Sequence, residues 1–166
     1  VMQGQQPEFR ESIRISMPIP VNFCYPASNA MTDTHLSDKA FAALDLPESL
    51  LAGVREAGFD RCTPIQAGTL PIALAGRDVA GQAQTGTGKT AAFAIPILAR
   101  LDLKRYGPQA LVLTPTRELA IQVAEAFHRY ARHLPGFHVL PIYGGQAYGP
   151  QLGGLRRGAH VVVGTP

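Results

Sequence analysis

The chain is poor in cysteine, poor in lysine and without a long apolar run, and each shortage closes off a class of protein. Its two cysteines, Cys24 and Cys62, lack metal-ligand spacing, and the five histidines are scattered. Neither a zinc site nor a disulfide framework is expected, and free thiols in a reducing cytoplasm are the simpler reading. No apolar stretch is long enough to cross a bilayer and no secretory core is recognisable, so a cytoplasmic protein without a membrane segment is expected. Three lysines stand against twelve arginines, a balance that favours forked phosphate contacts. The net charge of +3 hides an asymmetry: residues 31–66 carry three basic and six acidic side chains, whereas residues 67–166 carry ten basic and four acidic. A positive second half suits a polyanionic partner. A general preference for arginine on solvated surfaces produces the same composition. At 166 residues the chain fits one domain with a sizeable core.

What is present is a run of phosphate-binding chemistry, Ala83-Gln84-Thr85-Gly86-Thr87-Gly88-Lys89-Thr90. Gly86 and Gly88 leave the backbone N–H groups free to curl around phosphates. Lys89 brings a compact cation to the outer phosphates, and the Thr90 hydroxyl is suited to Mg²⁺. A short strand over Asp78–Gln82 precedes the run, and an apolar helix over Thr90–Leu101 follows with its N-terminus toward the anion. A kink is expected at Pro96. The run opens with Ala83 where such loops usually have glycine, which requires a negative φ there. The alternative is a Gly/Thr-rich turn between strand and helix.

A second run, Gly58-Phe59-Asp60-Arg61-Cys62-Thr63-Pro64-Ile65-Gln66, ends in a side chain able to make a paired donor–acceptor contact with adenine N6 and N7. Pro64 stiffens the approach and Thr63 holds the turn. An ordinary helix start, with Thr63 as cap and Pro64 as first residue, fits the same residues. Both readings hold together.

Four apolar runs, Asp78–Gln82, Ala110–Thr114, His138–Tyr143 and His160–Gly164, predict parallel strands covered on both faces. Helical segments alternate with them: Leu50–Ala57, Pro64–Leu74, Thr90–Leu101 and Arg117–Leu134. In the last of these Leu119, Val123, Phe127, Tyr130 and Leu134 form one buried stripe. The alternation implies an open α/β sheet with right-handed crossovers and ligands at the carboxyl ends of its strands. Residues 1–30 differ. Ile13, Ile15, Met17, Ile19, Val21, Phe23 and Tyr25 alternate with period two, while Pro18, Pro20 and Pro26 confine that segment to an edge strand or polyproline geometry. An extended arm on a sheet edge and a non-native extension before Met31 both remain open.

Taken together these runs resemble the DEAD-box RNA helicases. Gly58–Gln66 is similar to their Q motif, with Phe41 at the position of an aromatic that stacks on adenine, and Ala83–Thr90 is similar to motif I. Pro115-Thr116-Arg117-Glu118-Leu119-Ala120 resembles motif Ia, Gly144-Gly145 the double glycine, and Gly164-Thr165-Pro166 the start of motif Ib. The run Tyr143-Gly144-Gly145-Gln146 with Gln151-Leu152 and Leu155-Arg156 is most similar to the bacterial cold-shock and ribosome-assembly branch.

The resemblance implies a RecA-like P-loop NTPase fold, with residues 31–166 as the N-terminal part of the first helicase domain. It implies ATP or ADP with Mg²⁺ held by Phe41, Arg61, Thr63, Gln66 and residues Ala83 to Thr90 (Gln84, Thr85, Gly86, Thr87, Gly88 and Lys89 included), with Lys89 and Thr90 in catalytic positions. It implies RNA gripped by Pro115, Thr116, Arg117, Gly144, Gly145, Gln146 and Thr165 through backbone rather than base contacts. For Arg117 an ion pair inside the domain is the alternative.

The family's Asp-Glu-Ala-Asp and Ser-Ala-Thr motifs do not occur before Pro166. Glu118 is the acid inside the motif Ia run, and its counterpart does not serve the water site, so nucleotide binding without efficient hydrolysis is expected. Uncovered sheet edges are expected too, with marginal stability or self-association through the arm or the edge. The competing readings are a non-catalytic nucleotide- or RNA-binding fragment and a small nucleotide kinase.

Overall fold

The computed structural model describes Phe23–Cys24 and residues 36–166. In chain order they form β1 (Phe23–Cys24), a 3-10 turn at Phe41–Ala43, α1 (Glu48–Glu56), α2 (Pro64–Leu74), β2 (Ala80–Gly81), α3 (Lys89–Arg100), β3 (Ala110–Leu113), α4 (Arg117–Tyr130), β4 (Val139–Ile142), α5 (Tyr148–Arg156) and β5 (Val161–Gly164). Three of the strands make an all-parallel sheet in the order β3-β5-β4, with Ala110 and Val139 both opposite Val161. The last strand in sequence therefore lies in the middle, flanked on both sides. Its Val161-Val162-Val163-Gly164 is buried throughout, as a central parallel strand must be.

Helix starts follow from local chemistry. Pro64 at the first position of α2 has its φ preset and no N–H to leave unpaired. The Thr116 hydroxyl accepts from Leu119 N–H and caps α4, where Glu118 in the first turn adds a favourable charge. The core gathers Leu50 and Val54 of α1, Ile95 and Leu98 of α3, Val123, Phe127 and Tyr130 of α4, and Val161 and Val163 of β5. Among the described residues no helix is long and apolar enough to cross a membrane.

The open parallel α/β sheet flanked by helices is as expected, with four differences. First, β2 is shorter than the expected Asp78–Gln82 and does not join the three-strand sheet. It pairs in parallel with β1, Ala80 opposite Phe23. The remainder of the expected arm lies outside the described residues. A cleft of about 710 Å³, lined among others by Ile65, Phe93, Ile97, Val112, Leu113 and Leu119, separates β2 and its helices from β3. Along that side Leu111 and Leu113 of β3 are each 66% exposed, so apolar edge surface is uncovered among the described residues.

Second, α4 ends at Tyr130 rather than Leu134. Pro135 disfavours helical geometry at the residue before it, and the chain tightens through a Leu134 N–H to Ala131 carbonyl bond before Gly136 reverses it with φ 77°. Third, Leu119 is partly exposed rather than part of the buried stripe. Fourth, α5 arises in a Gly- and Pro-rich stretch where no helix was expected. Pro150 falls within its first turn, where a missing N–H costs no helical bond, and Gly154 lets it settle on Leu140 of β4.

The approach of α1 to the end of α4 depends on Gly53 of α1. A Cβ there would come within 2.2 Å of the Tyr130 carbonyl oxygen, which is backbone and cannot rotate away. Gly53→Ala is expected to destabilise the fold by about 1–3 kcal/mol in urea unfolding. Gly149→Ala, with nothing within 4 Å of the added carbon, is expected to be neutral or slightly stabilising. Equal stability of the two variants would contradict this packing.

Candidate functional site

The loop between β2 and α3 turns through two left-handed glycines, Gly86 at φ 82° and Gly88 at φ 84°. Side chains are rarely tolerated in that region, so the two positions need glycine for conformation as well as for space. Helix α3 starts immediately afterwards at Lys89, which points the free N–H groups of its first turn into the loop. Thr87 Oγ1 donates to the Gln84 carbonyl at 2.8 Å, and Lys89 Nζ donates to the Ala83 carbonyl at 2.5 Å. Gln84, Thr85 and Gly86 are exposed, so the concave side of the loop is open.

Gln66 reaches this loop from α2. Its Oε1 accepts from Thr63 N–H at 2.8 Å, and its Nε2 donates to the Gly88 carbonyl at 3.1 Å. The side chain is 0% exposed. A Cβ on Gly88 would lie 2.3 Å from Gln66 Nε2, so glycine at 88 is required by close approach as well as by its φ. Thr63 contributes its backbone N–H to the helix start, while its Oγ1 is buried with no hydrogen-bond partner. Gln66 thus meets the loop one residue before Lys89.

The other expected adenine-side residues are placed differently. Phe41 is 1% exposed and meets Phe59 edge-on, centroids 5.9 Å apart, so its ring presents no face to a ligand as it stands. Its segment is zipped onto 60–62 by backbone bonds, Phe41 N–H to the Asp60 carbonyl and Cys62 N–H to the Lys39 carbonyl. Arg61 is at the surface, 3.5 Å from the Asp38 carboxylate. Burial pushes the Cys62 thiol up, and the Lys39 charge pulls it part of the way back. This agrees with a structural, unreactive thiol.

A second cluster forms along the carboxyl ends of the three-strand sheet. Arg117, the first residue of α4, donates to the Gly144 carbonyl at 3.2 Å and lies 6.0 Å from the centroid of the Tyr143 ring. A Cβ on Gly145 would come within 2.7 Å of its guanidinium, so Arg117 and the double glycine are in direct contact. Arg117 makes no ion pair among the described residues. Thr165 follows β5 at the same rim, its N–H donating to the Ile142 carbonyl. Pro115, Thr116, Gly144 and Gln146 are exposed beside them.

Sequence reasoning missed two supports here. Buried Gln151 of α5 donates to the Tyr143 and Gln146 carbonyls at 3.3 and 3.4 Å and so holds the glycine turn. Thr114 ties β3 to β5 through the Gly164 carbonyl. The signal available for the first was a glutamine in the Gly- and Pro-rich run after the double glycine. Among the described residues no group of three or more His, Cys, Asp or Glu side chains is placed to hold a metal ion.

A sequence profile described as DEAD/DEAH box helicase matches residues 63–166. The chain belongs to this helicase family. The match runs from the Gln66 helix through the phosphate loop and the glycine turn to Thr165, so it covers every site element above except the Phe41 segment and Arg61. A DEAD/DEAH relative in Mycobacterium tuberculosis, ATP-dependent RNA helicase DeaD, is 56% identical over 141 residues, covering 85% of this chain and 24% of the relative. The Escherichia coli protein of the same name is 50% identical over 129 residues, covering 78% and 20%. A crystal structure of a DEAD box protein from the hyperthermophile Methanococcus jannaschii superposes with a TM-score of 0.72 at 41% identity, over 76% of this chain and 34% of that one. The RecA-like architecture of the DEAD-box proteins is therefore the fold of this chain. The chain spans about a quarter of the length of the curated relatives.

If Gln151 fixes the glycine turn, Gln151→Met keeps volume but removes both donors. About 1–2 kcal/mol of stability should be lost, with faster amide exchange at residues 144–146. Unchanged exchange there would show that the turn holds itself.

Proposed function

We propose that this chain is the ATP- and RNA-binding portion of an ATP-dependent RNA helicase that remodels RNA duplexes, with residues 31–166 as the N-terminal part of its first RecA-like domain. One observation carries the reading: the Gln66 amide is hydrogen-bonded to the phosphate loop itself, at Gly88. A nucleotide that takes its phosphates from the loop reaches a glutamine able to recognise its base, and neither a bare P-loop nor a small nucleotide kinase needs that link. Adenine has to displace the Gln66 bonds to Thr63 and Gly88, while the outer phosphates displace the Ala83 carbonyl from Lys89. The first-turn N–H groups of α3 meet the anion, and Thr90 supplies a hydroxyl for Mg²⁺. Phe41 and Arg61 complete the base side once the base enters.

RNA lies along the opposite end of the same rim. Thr116, Arg117, the Gly144–Gly145 backbone, Gln146 and Thr165 contact phosphates and 2′-hydroxyls there, with Pro115 shaping the turn. The run Tyr143-Gly144-Gly145-Gln146 with Gln151-Leu152 and Leu155-Arg156 supports a place in the bacterial cold-shock and ribosome-assembly branch, for which we propose a cytoplasmic setting. The open β3 edge, with Leu111 and Leu113, supports self-association of the chain as given. No acid in the described sites is placed to orient an attacking water, so this piece binds nucleotide without turning it over efficiently.

Two measurements test the reading. By calorimetry ADP should bind roughly ten- to a hundredfold tighter than GDP, the range a paired base contact supplies. Gln66→Ala should erase that preference, and Lys89→Ala should weaken both nucleotides. Equal affinity for ADP and GDP in the unaltered chain removes the base-reading role. Phosphate release from ATP should stay at background. Release that Lys89→Ala abolishes contradicts the binding-only assignment.

A further inference from the structure

The opposite rim of the three-strand sheet, where its strands begin, carries a cluster that the nucleotide and RNA sites do not use. The loop from α3 into β3 brings Lys104, Arg105 and Tyr106 to this rim, and the turn from α5 into β5 brings Arg156 and Arg157. Tyr106 joins the two. Its hydroxyl donates to the Arg156 carbonyl, and a Cβ on Gly158 would lie 3.0 Å from its Cδ2 and Cε2. One edge of the ring is seated on the turn while the side chain remains 72% exposed.

The loop is held in place. Asp102 N–H donates to Gln109 Oε1 at 3.0 Å, and Gln109 Nε2 donates back to the Asp102 carbonyl at 2.7 Å. Gln109 N–H is bonded to the His160 carbonyl at 2.8 Å. Asp102, an acid on the same loop, accepts from the Lys104 backbone N–H. All four cations are exposed, and none makes an ion pair among the described residues.

We infer that this rim is a second contact for single-stranded RNA, in which Lys104, Arg105, Arg156 and Arg157 take backbone phosphates and Tyr106 stacks on a base. The inference rests on the RNA-binding reading of the other rim. The carbonyls ending α5 account for a cation at 156 or 157. They do not account for Lys104 and Arg105 on another segment, nor for an anchored ring left open to solvent. Cations without acidic partners around an exposed aromatic face are what a sequence-tolerant single-strand platform requires. An unstacked base offers the ring a face that a duplex does not. Strands of four residues separate the two rims by about 13 Å, a distance a strand leaving the Arg117 rim can bridge.

Fluorescence anisotropy with the chain as given separates the two rims. An oligoribonucleotide of about 6 nucleotides engages the Arg117 rim alone, and one of about 20 reaches both. Replacing Arg105, Arg156 and Arg157 together by Ala should weaken the long oligomer at least tenfold and leave the short one unchanged. The same variant should flatten the salt dependence of long-oligomer binding by about 2 in log–log slope, near 0.7 for each of three lost phosphate contacts. Tyr106→Ala should weaken the long oligomer about tenfold, and Tyr106→Phe, which keeps the ring, should not.

Unchanged long-oligomer affinity and slope in the triple variant, with Arg117→Ala still weakening both oligomers, overturns this inference and leaves the RNA reading intact. No binding of either oligomer by the unaltered chain removes the RNA reading, and the inference with it. A triple variant that loses anionic phospholipid vesicles but not RNA also overturns the inference. If that variant melts early, the tyrosine pair decides: equal weakening by Ala and Phe overturns the stacking contact.

Discussion

One buried amide joins the start of α2 to the loop between β2 and α3, and the geometry of the proposed nucleotide site depends on it. Gln66 is fully enclosed, yet both ends of its side chain are satisfied, one by Thr63 N–H and the other by the Gly88 carbonyl. A buried amide left unpaired costs about 1–3 kcal/mol, so the loop and the helix are bound to move as one. The same bonds constrain sequence at a distance. A side chain at position 88 would displace the Gln66 amide, at a φ of 84° that already favours glycine. Gly88 is thus constrained by a residue of the preceding helix as well as by its own left-handed φ, whereas Gly86 is constrained by φ alone.

The parallel sheet supplies the second constraint. All three of its strands run the same way, so the turns after β3, β4 and β5 collect at one end and those before them at the other. Arg117, Gly144–Gly145 and Thr165 fall at the same end because of that direction. They are far apart in sequence and close only because β5 is inserted between β3 and β4. Gln151 and Thr114, neither of them a ligand-facing residue, keep this rim in register from beneath.

Much of this was legible in the residues. The phosphate loop declares itself through Gly86, Gly88 and Lys89, because few other structures need two glycines and a lysine at that spacing between a strand and a helix. Helix α2 begins at Pro64 as its cap chemistry requires, and β3, β4 and β5 follow apolar runs to within a residue or so at each end. What was not legible depends on tertiary contact. α5 has poor intrinsic propensity, with Gly149, Pro150, Gly153 and Gly154, and is held by seating on Leu140. The internal bonding of Gln66 is invisible to a motif, which records the residue type but not its partner. The burial of Phe41 against Phe59, which itself meets Tyr130, is likewise a tertiary contact that the position of an aromatic in a motif does not reveal. The pairing of β2 with β1 rather than with β3 could not be read from hydrophobicity, which is the same for both choices.

A crystal structure of the chain with ADP and Mg²⁺ tests the central link most directly. The account predicts phosphates in the 83–90 loop, the Ala83 carbonyl released by Lys89, and the Gln66 amide turned from Gly88 to the N6 and N7 edge of adenine. ADP held with its base elsewhere, and the bond between Gln66 and Gly88 intact, would contradict it.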